Sequence, residues 1–426
     1  MQPEEARSPS VEHRQHERLL WVLSAATFLI FFQAYMVAPL IPRLAVAFEV
    51  SAQAIGLIVP AYMIPYGVST LFYGLLSDRL GRRRIMLASL LAFVVLTILT
   101  ATSQDSSQMI GWRLLTGLGA SGVVPLALAW IGATFPYEQR GRPLGWLFGA
   151  MAGGMAFGST FGAILEPLIG WQGIFLAVGG LGAVVFGVFF PYRHLLGDAP
   201  PATAGKLRDL FAAYGALLGS GRGRGTYSYV FLNAVFHSGV FTWLGLYFAQ
   251  RYGLGEVGIG LALLGYGVPG FLFGPVIGRA ADRWGRRWLL PLGLGTAAVS
   301  SAVLIPDVPL AGAALAITAL SLGYDLTQPL LAGIVTDLGG KRGGQAMGLN
   351  VFALFTGFGL GSLLFGEALR LGFDSALALF SGVLLLAAGV AIPLFRSETS
   401  AGPKRTTQKP TESNSTDNPE KVGFPS

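Results

Sequence analysis

The chain has 426 residues, 53% hydrophobic and only 12% charged, with a mean hydropathy of +0.59. Soluble domains carry about 25% charged residues, so this composition excludes a water-soluble globular fold and leaves lipid as the solvent. The absence of cysteine excludes disulfides, thiolate metal sites and cysteine nucleophiles, and the net charge of +7 sits in short loops, not on a face that could bind nucleic acid.

Taken in chain order, residues 1–18 read as a cytoplasmic N-terminus too charged for a cleaved signal peptide. Crossing a bilayer takes roughly 20 mostly apolar residues, and six such stretches follow: Leu19–Pro42, Ala54–Leu76, Ile85–Thr102, Met109–Phe135, Pro143–Leu165 and Gly173–Pro191. Residues 192–225 form a central loop. Its Leu207, Leu210, Phe211, Tyr214, Leu217 and Leu218 share one helical face, which reads either as a helix lying on the membrane surface or as a partly ordered linker. Six more stretches complete the set: Thr226–Ala249, Val257–Ile277, Trp288–Ile305, Pro309–Val335, Gln345–Gly366 and Ser375–Phe395. They are continuously apolar and do not alternate, which predicts helices and not barrel strands. Residues 396–426, rich in Ser, Thr, Pro, Lys and Asn, read as a disordered cytoplasmic tail.

The loop charges orient the chain. With the N-terminus inside, all but four of the 29 Lys and Arg residues fall on the cytoplasmic side. Arg43, Arg251 and Arg370 lie opposite, and Arg113 lies inside the fourth segment. Both termini are therefore expected in the cytoplasm of a plasma (bacterial inner) membrane protein. The chain also repeats itself: "GLLSDRLGRRRIML" from Gly74 and "GRAADRWGRRWLLP" from Gly278 place Asp78 and Asp282 204 residues apart in matching settings. Residues 19–191 and 226–395 thus read as two pseudo-symmetric six-helix bundles.

Two such halves, with Gly-x-x-x-Asp-Arg-x-Gly-Arg-Arg between the second and third helices and an echo between the eighth and ninth, resemble the major facilitator superfamily of transporters, most closely its twelve-helix drug:proton antiporter branch. The resemblance implies an all-α polytopic membrane fold and alternating access. It implies a monomer among membrane lipids that uses the proton gradient and needs no cofactor or metal. It makes Gly74, Asp78, Arg79, Gly81, Arg82 and Arg83, with Asp282, Arg283, Gly285, Arg286 and Arg287, a cytoplasmic latch between the halves. It implies proton coupling for Arg113 in "RLLTGLGASG", although an arginine near a helix end can also snorkel to water. Gly145, Gly154, Gly158 and Gly162 match the branch's fifth-helix antiporter signature, with Ser159 where that signature has proline; the same glycines also serve plain helix packing. Ala38, Pro39 and Pro42 resemble the end of the first helix in the drug exporters.

The resemblance places the substrate cavity between the first, fourth, seventh and tenth helices. The polar and aromatic candidates there are Gln33, Tyr35, Asn233, His237, Trp243, Tyr324, Asp325 and Gln328. Asp325 is the lone carboxylate well inside any of the twelve segments. An intramembrane carboxylate is costly and marks a proton or cation site unless it pairs structurally with a neighbouring helix. Glu166 and His237 are further proton candidates. The expected activity is proton-coupled export of small amphipathic or lipophilic compounds. The alternatives are proton-linked uptake of a polar metabolite such as a sugar or organic anion, and, more remotely, a membrane sensor or enzyme on the same frame. No catalytic or metal-binding residues are expected.

Overall fold

In a computed structural model the described residues are 9–135, 139, 141–197 and 207–398, and every regular element among them is helical. The first segment is α1 (Pro9–Tyr35), a short 3-10 turn at Ala38–Leu40 and α2 (Ile41–Ala47). Pro39 and Pro42 stand at the starts of these two pieces, where a missing N–H costs nothing. The second segment is α3 (Ala52–Gly56) and α4 (Ile58–Leu80), the third α5 (Arg82–Thr100), and the fourth α6 (Ser106–Ala120) and α7 (Val123–Thr134). The fifth and sixth run on as α8 (Gly141–Phe189), within which only Gly170 leaves helical geometry (φ 69°). In the central loop α9 (Leu207–Gly219) is helical.

The second half begins with α10 (Gly221–Tyr252), the seventh segment. The eighth is split into α11 (Glu256–Ala262) and α12 (Val268–Trp284), and the ninth is α13 (Arg286–Ala302). The tenth is split into α14 (Leu310–Asp325) and α15 (Gln328–Gly339). The last two are α16 (Gly343–Ala368) and α17 (Phe373–Leu394).

Nine helices among the described residues are long and apolar enough to cross a membrane. These nine stretches hold ten of the twelve expected segments, and the eighth and ninth are present as shorter helices. The fifth and sixth are joined into one 55-residue stretch, Arg142–Leu196. The eighth is interrupted between Ala262 and Val268. The ninth has 17 residues, at the lower edge of the roughly 17–25 needed to span. The outward face is lipid-like: Leu168, Leu315 and Leu386 are each at least 70% exposed, which suits a hydrocarbon surround and no aqueous one.

The repeat seen in the loops is also in the backbone. Gly81 (φ 89°) and Gly285 (φ 77°), 204 residues apart, turn the chain between the second and third segments and between the eighth and ninth. Gly170 (φ 69°) and Gly372 (φ 93°), 202 apart, do so between the fifth and sixth and between the eleventh and twelfth. A side chain in these conformations would be strained, so glycine is required at all four. The fourth and tenth segments also break at matching places, around Gly122 and Leu326.

Within the first half α1 lies along α8, while α5 packs on α6 and α8; within the second α10 lies along α16, and α13 packs on α14 and α17. The halves meet where α4 crosses α16, where α8 meets α11 and α12, and where the turn after α1 meets α10.

Candidate functional site

A small cavity lies between the halves. It is walled by Tyr35 of α1, Met155 of α8, His237, Ser238 and Phe241 of α10, Tyr266 between α11 and α12, Tyr324 of α14 and Phe358 of α16. The non-atom space is about 210 Å³, and the side chains close in until the free room is that of about one water. Phe241 is a hub: its ring centroid is 4.5 Å from Tyr266 and 5.7 Å from Tyr35. Tyr324 meets the His237 ring edge-on at 4.8 Å. Both His237 ring nitrogens are buried without a hydrogen-bond partner.

Of the residues expected in the cavity, Tyr35, His237 and Tyr324 line it. The others are placed elsewhere. Gln33 is fully buried, and its amide has no partner. Asn233 donates to Thr327 Oγ1 (2.9 Å) and to Gln328 Oε1 (3.4 Å), tying α10 to the break between α14 and α15. Trp243 lies away from the wall and donates its indole N–H to the Ser362 carbonyl at 3.0 Å. Asp325 stands behind Tyr266 and Tyr324, within electrostatic reach of both. Met155, Ser238, Phe241, Tyr266 and Phe358 were not singled out from sequence. They are common residues in apolar helices, and only the crossing of the two halves brings them together.

Arg113 does not snorkel. It is fully buried, and its guanidinium donates to the carbonyls of Ile58, Gln33 and Ala34 at 3.2, 3.3 and 3.4 Å. It also lies 4.3 Å over the Tyr62 ring. Two of these carbonyls belong to the last turn of α1, which lacks intrahelical donors once the helix stops at Tyr35. The arginine therefore holds the break in the first segment against the second and fourth. Glu166 is buried and pairs with Arg43 at 3.0 Å, joining α8 to α2.

The fifth-helix glycines face α1. A Cβ on Gly154 or Gly158 would come within 2.5 Å of the carbonyl oxygens of Phe28 or Phe32. One on Gly162 would lie 2.8 Å from Met36, whereas Gly145 faces open space. Ser159, where the signature has proline, donates to the Ala156 carbonyl at 3.0 Å and leaves the helix unbroken.

In the latch loops the side chains of Asp78 and Asp282, and Gly74, lie outside the described residues. Gly81 and Gly285 supply the turns noted above. Arg79 and Arg283 are exposed, and Arg82, Arg83, Arg286 and Arg287 are half-buried. The Arg286 guanidinium lies over Gly333 of α15, and Arg287 sits 4.8 Å over Trp288. No group of acidic and histidine side chains suited to a metal occurs among the described residues.

The comparisons with known proteins agree with this architecture. A Major Facilitator Superfamily model matches residues 23–273 and 231–421. An uncharacterized MFS-type transporter of Bacillus subtilis, YwfA, is 27% identical over 353 residues, 82% of this chain and 84% of its own length. Multidrug resistance protein 3 of the same organism is 33% identical over 135 residues, 32% of this chain and 26% of that protein. In three dimensions the chain is similar to a bacterial homolog of the human lysosomal transporter Spinster, solved in an inward-facing and unoccupied conformation. That likeness has a TM-score of 0.70 and 16% identity, and covers 91% of this chain and 99% of that one. With two repeated halves, broken helices meeting at a central cavity, and this match over nearly the whole chain, the protein belongs to the Major Facilitator Superfamily and is a membrane transporter, not an enzyme.

Proposed function

We propose that this transporter exports small amphipathic or lipophilic compounds, preferentially cationic ones, in exchange for protons. The observation that carries the reading is the setting of Asp325. One of its carboxylate oxygens, Oδ2, is buried without a partner, behind a cavity whose wall is aromatic and carries no lysine or arginine. Aromatic rings supply apolar contact and cation–π attraction, and the carboxylate supplies a counter-charge that either a proton or a cationic cargo can satisfy. Competition for that one group gives exchange. The short-range likeness to a multidrug resistance protein supports the same reading. Arg113 is a poor anion site, because each of its three nitrogens already donates to a backbone carbonyl.

The loop charges support an orientation with both termini in the cytoplasm, and the family likeness supports a monomer in the plasma membrane. The test is flux in proteoliposomes under an imposed pH gradient, wild type against Asp325→Asn at matched protein. The variant should lose gradient-driven accumulation of a lipophilic cation and keep passive equilibration. Retained accumulation would move the proton site to Glu166 or His237.

A further inference from the structure

The break in the eighth segment and the break in the tenth are built against one another. Between α11 and α12 the chain turns at Gly267 (φ 90°). The Gly267 N–H donates to Ser321 Oγ at 2.9 Å. Ser321 lies one turn before Asp325 on α14, and the Asp325 carboxylate is packed against the backbone of Gly270 in the first turn of α12. Oδ2 is buried without a hydrogen-bond partner, and Oδ1 is the oxygen that lies nearer to Gly270.

Glycine makes this approach possible. A Cβ on Gly270 would lie 2.5 Å from Oδ1, 2.8 Å from Cγ and 2.9 Å from Oδ2, and one on Gly265 would strike the Thr318 hydroxyl. Thr318, Ser321 and Asp325 form one face of α14, and Gly265, Gly267 and Gly270 are the glycines that receive it. On its other side Gly267 abuts Ala156 of α8, which belongs to the opposite half; a Cβ there would come within 2.7 Å of the Ala156 methyl.

We propose that Asp325 is the cap of a hinge in the eighth segment, and that its charge decides whether α12 is held in line. This rests on the reading of Asp325 as the proton and cargo site and adds how occupancy moves the protein. As a carboxylate, Asp325 holds the α12 N-terminus through charge-assisted contact, which is about twice as strong as a neutral one and is favoured by the helix dipole. When Oδ2 takes a proton, or when a cationic cargo neutralises the group, that hold weakens. α12 is then free to swing about Leu263–Gly267, carrying the cytoplasmic end of the eighth segment relative to α8. The titratable groups around Asp325 among the described residues are Tyr266 and Tyr324, with Tyr35 and His237 beyond them, and none of the ion pairs includes it.

The cysteine-free chain allows a direct test. Spin labels at Phe148→Cys on α8 and Trp284→Cys at the end of α12, both exposed positions, report the distance across the halves in lipid nanodiscs. The double-cysteine protein should show two distance populations whose ratio changes on acidification. Asp325→Asn should sit in the acid population at every pH. Gly270→Ala, which drives a methyl into the carboxylate, should do the same. Ser321→Ala, which removes the acceptor of the Gly267 N–H and adds no bulk, should shift the ratio by about fivefold, the size expected for loss of one capping contact. Distances that overlay the parent protein in Asp325→Asn and Ser321→Ala would overturn the hinge. The transport assay separates the two readings. Lost coupling with unchanged distances removes the hinge and leaves Asp325 as the proton site. Shifted distances with coupling intact keep the hinge and remove the proton site.

Discussion

The indole of Trp243 on α10 stands so close to Gly56 at the end of α3 that a Cβ there would lie 2.5 Å from its Cη2 atom. Gly366 of α16 closes the slot from the other side, where a Cβ would lie 2.6 Å from Cζ2. Beside it, Gly245 packs on the backbone of Pro39, again across the halves. Trp243 therefore acts as a wedge between α3 of the first half and α16 of the second, and is expected to close the path between the halves on that side. Gly56→Leu should expel it from the slot. A cysteine placed in the cavity at Ser238 should then react several-fold faster with a bulky thiol reagent supplied from the Pro39 end. Unchanged labelling would mean that the seal lies elsewhere.

The glycines of α8 differ in what they touch, so they should differ in what they tolerate. Gly158→Val pushes atoms into the Phe32 carbonyl at a backbone contact that cannot yield, and overpacking of this kind costs about 1–3 kcal/mol. Gly145→Ala meets open space and gains about 0.5–1 kcal/mol of helix propensity. Thermal unfolding in detergent should therefore show a lowered melting temperature for the first and an unchanged or raised one for the second.

Much of this was legible in the sequence, and the exceptions have physical causes. Apolar run length marked the helices, and the recurrence of Gly81 and Gly285 in identical surroundings marked the two halves, because a turn with positive φ demands glycine in both copies. The helix interruptions were only partly legible. Pro39 and Pro42 mark those in the first segment and Pro329 stands at the start of α15, but the break at Leu326 is also stabilised by Asn233 from α10 through Thr327, a contact between residues 94 positions apart. The aromatic cavity was hidden for the same reason, since Tyr266 and Phe358 read as ordinary apolar-segment residues until the halves cross. Arg113 was visible as an intramembrane cation, but its partners are backbone carbonyls, which carry no sequence signature.

The central-loop helix links the halves. Its apolar face packs on protein: Tyr214 of α9 clusters with Tyr227, Val335, Ala346 and Leu349 of the second half, while its hydroxyl donates to the Leu71 carbonyl of the first at 3.2 Å. Phe211, on the same helix, stays exposed. Tyr214→Phe should remove this link alone, worth about 0.5–1.5 kcal/mol, and shift the balance between conformations without changing cargo affinity within either. Burial pushes the Tyr214 phenol up to about 12 from the ordinary 10. A raised phenol favours the folded state fully below the ordinary value and loses that contribution as pH climbs through the raised one. The link should thus be indifferent to pH over the working range and weaken only in strongly alkaline buffer. Distance measurements between labelled ends of α4 and α16 across a pH series check both points.

Arg113 offers the sharpest contrast between charge and geometry. Its planar fork reaches three carbonyls on two helices while its face rests on Tyr62. Lysine keeps the charge but presents one compact ammonium with a different donor geometry. Arg113→Lys should therefore leave at least one of the three carbonyls without its donor, at a cost of about 1–3 kcal/mol for each buried group so abandoned. The loss should appear first in the α1 break, since Gln33 and Ala34 sit in the turn that ends at Tyr35 on the cavity wall. The expected result is a lower melting temperature together with weaker cargo binding, because Tyr35 is no longer held in place. Arg113→Met should be worse on both counts, with all three carbonyls unpaired and the cation–π contact gone. If the charge alone mattered, as it would for a residue that only passes protons, lysine would restore stability and binding to wild-type values. Melting curves and cargo titrations on the purified variants decide between the two.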